Sequence, residues 1–239
     1  MPILSLNAVS KSFGALKVTD NVSFELAKGE ALGVIGPNGA GKSTLFNLIT
    51  GNIAADSGQI LLEGRNITAV SAMDRCKAGI GRSFQIPQPF SGLSVFENLL
   101  VAARFGGAMT AADAADFCME LLSRTGLEPQ ADCLAGSLPL LSRKRLELAR
   151  AMATRPKILL LDEIAGGLTE GECDELVKTI KDINQQGASI IWIEHVLHAL
   201  THVVSRLVVL NFGQVLMVGE PDRVMASPQV REIYLGIEA

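Results

Sequence analysis

No stretch of this sequence approaches the roughly 18 consecutive apolar residues of a membrane-spanning helix, although 48% of its 239 residues are hydrophobic. The nearest stretches are "RLVVLNFGQVLMVG", interrupted by Asn211 and Gln214, and "KILLLDE", stopped by two acids. Both read as buried strands. A basic block is missing as well, and the net charge is −4, so the electrostatic footprint of a nucleic-acid binder is absent. The cysteines are scattered. Cys76, Cys118, Cys133 and Cys173 form no CxxC and no Cys/His cluster, which predicts a reducing compartment and no zinc site. The N-terminus "MPILSLNAVSKSFG" has no basic-then-apolar signal segment, which predicts a cytosolic chain. Internal repeats and low-complexity segments are also lacking.

What is present is a change of texture along the chain. "ILSLNAV" and "NVSFELAKGE" alternate apolar and polar residues, as half-buried strands do. "ALGVIG", Ala31 to Gly36, is continuously apolar, as a central strand covered on both faces would be. It runs into "GPNGAGKST", after which "LFNLITG" reads as a helix ending at Gly51. "SGQILLEGRNI" predicts a further hairpin strand. From about 87 to 154 the periodicity is helical, in "SVFENLLVAARF", "AADAADFCMELLSRTGL" and "RKRLELARAMATR", the last stopped by Pro156. Strand texture returns with "KILLLDE", a helix in "ELVKTIKDINQQG", a buried strand in "ASIIWIEH" and a hairpin bent at Phe212-Gly213. The alternation predicts an α/β fold with a mostly parallel sheet and helices on both faces. The length allows one large domain with a subdomain.

The sharpest chemical signal is the run Gly36, Pro37, Asn38, Gly39, Ala40, Gly41, Lys42, Ser43 and Thr44, which fits G-x-x-x-x-G-K-[ST]. Its glycines let successive backbone N–H groups converge on an anion, and the helix that follows adds its N-terminal dipole. Lys42 supplies a point charge for β- and γ-phosphates, and the Ser43 hydroxyl is a candidate Mg²⁺ ligand. "ILLLDE" puts Asp162 and Glu163 at the C-terminal edge of a buried strand, where open α/β sheets bind ligands. Asp162 is therefore a candidate for the Mg²⁺ shell. Glu163 is a candidate base or water-orienting group beside the γ-phosphate. His195 ends another apolar strand, and Gln85 sits where the strand-rich part meets the helical part.

In this order the motifs resemble those of the nucleotide-binding subunits of ABC transporters. "GPNGAGKST" is similar to their Walker A, Gln85 to their Q-loop glutamine and metal ligand, "ILLLDE" to their Walker B with catalytic glutamate, and His195 to their switch histidine. Phe13 in "KSFG" matches the aromatic that stacks on adenine. The resemblance spans the whole chain. It implies a P-loop NTPase fold with an N-terminal antiparallel β subdomain, a core over 1–86 and 155–239, and an inserted helical subdomain over about 87–154. It also implies ATP and Mg²⁺ as cofactors, a second ATPase subunit and permease subunits as partners, an indirect link to a solute-binding protein, and a place on the cytoplasmic face of the membrane. "GIGRSFQIPQPFSGLSVFENLLVA" is similar to the branch serving branched-chain amino acid, urea and amide importers. The "REIYLG" ending fits that branch and is shared with the lipopolysaccharide-export ATPase. A GTPase fits worse, since the N/T-K-x-D guanine-reading loop it needs is found at no suitable place.

One segment departs from the family pattern. In the register set by "RKRLELARAM", the LSGGQ-type signature falls on Leu138-Pro139-Leu140-Leu141-Ser142, so its serine becomes Pro139 and its glycine Leu141. In the family this segment covers the γ-phosphate of ATP held by the other subunit. Proline has neither hydroxyl nor N–H, and losing two charge-assisted hydrogen bonds costs on the order of 3–6 kcal/mol. Ser142 is the candidate N-cap of the following helix, and Arg143, Lys144 and Arg145 are candidates for replacement charge. Ile164 and Thr169 also stand where proline and Asp or Asn are usual. Residues this chain contributes to its own site are kept, while those it lends to a partner are degraded. The expectation is an unequal heterodimer with one hydrolytic site, the alternative being a nucleotide-binding structural subunit with little hydrolysis.

Overall fold

The computed structural model describes residues 1–235; the last residue of the "REIYLG" ending, Gly236, lies outside them. Pro2–Phe13 (β1) and Leu16–Ala27 (β2) form a long hairpin with alternating burial, as their period-two pattern requires. Ala31–Ile35 (β3) is buried at every residue and leads into Lys42–Thr50 (α1), which Gly51 ends in a left-handed conformation. Ser57–Leu62 (β4) and Arg65–Asn66 (β5) join the hairpin in a four-stranded antiparallel sheet of order β2-β1-β4-β5.

Two short elements follow that the sequence reading did not resolve, Ala72–Ala78 (α2) and Ile80–Arg82 (β6). Val95–Phe105 (α3) starts on a full capping box at Ser94 and Glu97. Ala111–Arg124 (α4) is capped by Thr110, and Leu140–Ala153 (α5) completes the helical stretch. Ile158–Asp162 (β7), Glu170–Gln185 (α6), Ser189–Ile193 (β8) and Leu197–Thr201 (α7) come next. Arg206–Asn211 (β9) and Gln214–Gly219 (β10) then form the expected hairpin, with Phe212 at φ 45° in its turn. Pro221–Met225 (α8) and Pro228–Leu235 (α9) end the described chain.

The second sheet has the order β10-β9-β3-β8-β7-β6, parallel except for β10. Its central strands are apolar on both faces because each face meets a different core. Leu159 and Leu161 of β7 pack with α3 to α7; Ile158 and Leu160 pack with α1 and the antiparallel sheet. The largest side chain in the interior, Trp192 on β8, is fully buried. The predicted α/β class, parallel sheet and antiparallel N-terminal part are thus observed. Among the described residues, no helix is long and apolar enough to cross a membrane.

The topology has one consequence for chemistry. β3, β8 and β7 are adjacent and parallel, with Val34 opposite Ile193 and Ile193 opposite Asp162. Their C-terminal ends therefore bring the loops beginning at Gly36, Glu163 and Glu194 to one edge of the sheet.

Candidate active site

The loop after β3 closes around its own backbone. A Cβ on Gly36 would lie 2.2 Å from the Leu210 carbonyl oxygen. One on Gly41, which sits at φ 99°, would lie 2.5 Å from the Val18 carbonyl oxygen. Only glycine satisfies both. The result is a cavity of about 200 Å³ lined by Asn38 to Thr44 together with Val18 and Glu163, at the N-terminus of α1. Backbone N–H groups of that first turn have no partner within the helix, so the cavity suits a phosphate. Gly41→Ala is expected to weaken binding of a nucleotide triphosphate by at least about tenfold, because a φ > 0 side chain costs about 1–2 kcal/mol before any clash. Equilibrium titration with a fluorescent ATP analogue checks this.

Lys42 is buried, and its Nζ donates to the Gly36 carbonyl at 2.6 Å and the Pro37 carbonyl at 3.0 Å. Burial pulls its pKa below the ordinary lysine value, opposed by the carboxylates of Glu163 and Asp162. An arriving phosphate would relieve that by taking the ammonium from the two neutral carbonyls. Ser43 is exposed on the cavity wall. Phe13 is half-exposed at the end of β1 with Lys11 5.7 Å from its ring. It does not line the phosphate cavity; the β2 residue that does is Val18.

Glu163 stands at φ 46°, an uncommon conformation for a side chain of this kind. Three contacts of its N–H and carboxylate hold it there. Its N–H donates to the Ile193 carbonyl at 2.8 Å. Its carboxylate accepts from Gln85 Nε2 at 2.6 Å and meets His195 Nε2 at 2.7 Å. Gln85, Glu163 and His195, read separately from three parts of the sequence, are thus one hydrogen-bonded group. Asp162, by contrast, is buried and paired with Arg82 at 2.6 Å.

Two further residues support this group: Glu194, which carried no signal of its own in the sequence, and Lys144, which the sequence suggested for a different role. Glu194, 1% exposed, accepts from Trp192 Nε1 and the Ala165 N–H, both at 3.2 Å, and from the His195 N–H. It therefore ties the loop after β7 to the histidine, and burial raises its pKa against those donors. Lys144, 4% exposed, donates to the Gln85 carbonyl at 2.7 Å and the Glu163 carbonyl at 3.3 Å.

Lys144 also corrects an expectation. The basic start of α5 was expected as a candidate source of replacement charge for a phosphate on a neighbouring subunit. Instead Lys144 points into its own chain, Arg143 donates to the Gly136 carbonyl, and Arg145 pairs with Glu175. Ser142 is not the N-cap either. It lies inside α5 and is buried, while Pro139 occupies the cap position with no side-chain hydrogen bond. The helix begins earlier than its basic run because Leu140 and Leu141 already take helical geometry.

The sequence profile described as ABC transporter matches residues 19–166. The chain belongs to the ABC transporter family. It is 36% identical to the "High-affinity branched-chain amino acid transport ATP-binding protein LivG" of Escherichia coli (strain K12), over 98% of each chain. It is 31% identical to the "Lipopolysaccharide export system ATP-binding protein LptB" of Haemophilus influenzae, over 99% of this chain and 98% of that one. Among solved structures, the ADP conformation of the ATP-binding cassette MJ1267 superposes with a TM-score of 0.89 at 31% identity, covering 99% and 100% of the two chains. As an ABC ATPase of the LivG-like kind, the chain is a nucleotide-binding subunit of a transporter, a class that dimerises and works with transmembrane permeases.

For this ABC ATPase the donor set also decides which cation fits. Among the described residues, no cluster of three or more His, Cys, Asp or Glu could hold a metal. The hydroxyl of Ser43 and the carboxylate of Asp162, with phosphate oxygens of a nucleotide, would offer hard oxygen donors of the kind that suit Mg²⁺.

Proposed function

We propose that this chain hydrolyses ATP as one half of an unequal nucleotide-binding dimer that drives import of branched-chain amino acids or related polar solutes. The observation that carries the proposal is a contrast within one chain. Gln85, Glu163 and His195 form a closed hydrogen-bonded group beside the phosphate cavity, whereas the signature front ends on Pro139, which has neither N–H nor a capping side chain. The importer assignment rests on the likeness to LivG, with LptB, an export protein, as the competing analogy.

In this reading Gly36 to Thr44 bind the phosphates, and Phe13 stacks on the base at the outer end of the site. Ser43, Asp162 and Gln85 would hold Mg²⁺, which would supply charge neutralisation of the nucleotide's phosphates. Glu163 orients the attacking water and takes its proton. Gln85 and His195 fix the carboxylate from either side, so little rearrangement is needed at the moment of reaction. His195 then faces the γ-phosphate as a donor. In this reading the core comprises 1–86 and 155–239 and the helical part about 87–154, and the exposed Phe84, Ile86 and Phe90, around their junction, face the permease. The chain sits on the cytoplasmic face of the membrane, with the solute-binding protein on the other side.

The second reading, a structural subunit with little turnover, is favoured by Pro139 alone. ATP turnover in the assembled transporter, with the Walker B glutamate of each ATPase subunit changed separately to glutamine, separates the two. Turnover that survives Glu163→Gln but not the partner's equivalent change supports the structural reading and sinks the hydrolytic one.

A further inference from the structure

The hydrolytic reading leaves the opposite edge of the parallel sheet unused. Lys28 lies just before β3, Lys157 just before β7 and Ala188 just before β8. They stand at the N-terminal ends of the strands whose C-terminal ends lead to the phosphate loop, Glu163 and Glu194. With five residues in each strand, the two edges are roughly 15 Å apart. A cavity of about 440 Å³ opens at this second edge, within the size range of small-molecule sites. Its apolar wall comes from Phe117 and Leu121 of α4, Met152 of α5 and Ile183 of α6. Its rim carries Lys28, Arg124, Arg155 and Lys157 against the single carboxylate of Glu63.

Two of these cations are accounted for within the chain. Lys157 pairs with Glu63 at 2.5 Å, and Arg124 with Gln186 and Glu120, whereas among the described residues the side chains of Lys28 and Arg155 take part in no ion pair or hydrogen bond. Arg155 decides the matter. It follows Thr154, the C-cap of α5, and stands at φ 54°, the left-handed position where helices ordinarily place glycine. A side chain is strained there. The chain thus accepts strain to hold at the cavity a cation that has no partner inside the chain.

The helices narrow the choice of ligand. α4, α5 and α6 all end at this cavity, and each C-terminus contributes about −0.5 charge. That accounts for a cation at Arg124, the last residue of α4, and it offsets part of the positive rim. Helix C-termini also offer carbonyls rather than N–H donors, so a phosphate or other polyanion is poorly served. A single carboxylate finds both a residual positive charge and the fork of an arginine.

We propose that this cavity is a binding site for an amphipathic monocarboxylate. Its apolar body lies against Phe117, Leu121, Met152 and Ile183, and its head group meets Arg155 and Lys28. The bound molecule joins α4 and α5 to α6 and to the start of β7. The site is separate from the phosphate cavity and does not depend on the hydrolytic reading.

The test is an NMR titration of the full chain with octanoate. Saturable binding is expected, with affinity rising up to about fourfold for each methylene from butanoate to octanoate. Octanol and inorganic phosphate should each bind at least about tenfold more weakly. Arg155→Gly separates binding from structure, because glycine relieves the backbone while removing the cation. Its melting temperature without ligand should hold or rise, and its octanoate affinity should fall about tenfold or more. Arg155→Lys, which keeps the charge without the fork, should recover part of that loss. No saturable binding, equal binding of octanol, displacement by phosphate at equal concentration, or unchanged octanoate affinity in Arg155→Gly each overturns the proposal. If Arg155→Gly does not fold, Lys28→Gln at the exposed Lys28 takes its place: a loss of about threefold or more supports the site, and unchanged affinity overturns it.

Discussion

Glu163→Gln is expected to lower ATP turnover of the assembled transporter by about 10²–10⁴-fold while leaving ATP binding close to unchanged. The argument is geometric before it is chemical. Glutamine has the same shape, so it keeps the N–H bond to Ile193 and the place between Gln85 and His195. What it loses is one acceptor oxygen and all capacity to take a proton. Its NH2 also presents a donor to one of the two partners, Gln85 Nε2 or the His195 ring, where the carboxylate met both with an acceptor oxygen. The phosphate cavity contributes binding through Asn38 to Thr44 and is untouched. Phosphate release measured beside ATP titration separates the two effects. Turnover within about twofold of the unaltered complex would remove Glu163 from the chemistry. Lys144→Met gives a graded companion: the carbonyls of Gln85 and Glu163 lose their shared donor, so turnover should fall while ATP affinity holds. A loss confined to affinity would show that Lys144 serves the phosphate cavity instead.

Much of this site was legible because three adjacent parallel strands each end in a short motif. Continuous apolar runs identified the strands, and the glycine-rich run, the acid pair and the histidine marked their C-terminal ends. The strand order β3-β8-β7 then places all three motifs at one edge. Gln85 could be placed only by resemblance, since β6 has three residues, too few for periodicity to register. Arg82 and Glu194 were not legible at all as site residues, and Lys144 was read only as charge for a partner's phosphate, not in the role it takes. Their chemistry depends on what faces them across the fold: Asp162, the Ala165 N–H, and the Gln85 and Glu163 carbonyls. A buried arginine at a strand end and a lysine on a helix give the same local pattern as exposed ones. The start of α5 failed for a different reason. Serine is a better N-cap than proline, so local preference pointed to Ser142, but the preceding turns fix the entry of the chain at Pro139 through bonds from Ser137 to Leu134 and from Arg143 to Gly136.

That fixed entry makes restoration of the signature a direct test of the unequal dimer. Pro139 stands at φ −66°, ψ 166°. Ser94, which caps α3, stands at φ −65°, ψ 165°, and Thr110 and Thr169 have nearly the same angles. A serine at 139 thus needs no change of backbone, and its hydroxyl should add about 0.5–2 kcal/mol of helix capping. Leu141 is only half-buried, so glycine there opens no core cavity and costs about 1 kcal/mol in helix propensity. Folding should therefore be close to neutral in the double substitution Pro139→Ser, Leu141→Gly. The phosphate contacts it restores are worth on the order of 3–6 kcal/mol. In a Glu163→Gln background, where ATP persists, self-association of the restored chain should become ATP-dependent and tighten by about 10²–10⁴-fold, as read by sedimentation. Pro139→Ser alone should give part of that gain. If the double substitution raises the melting temperature yet leaves self-association indifferent to ATP, then the rewritten segment is not what keeps two copies of this chain apart. The asymmetry would then lie elsewhere, with Ile164 and Thr169 in the loop after Glu163 as the next residues to exchange.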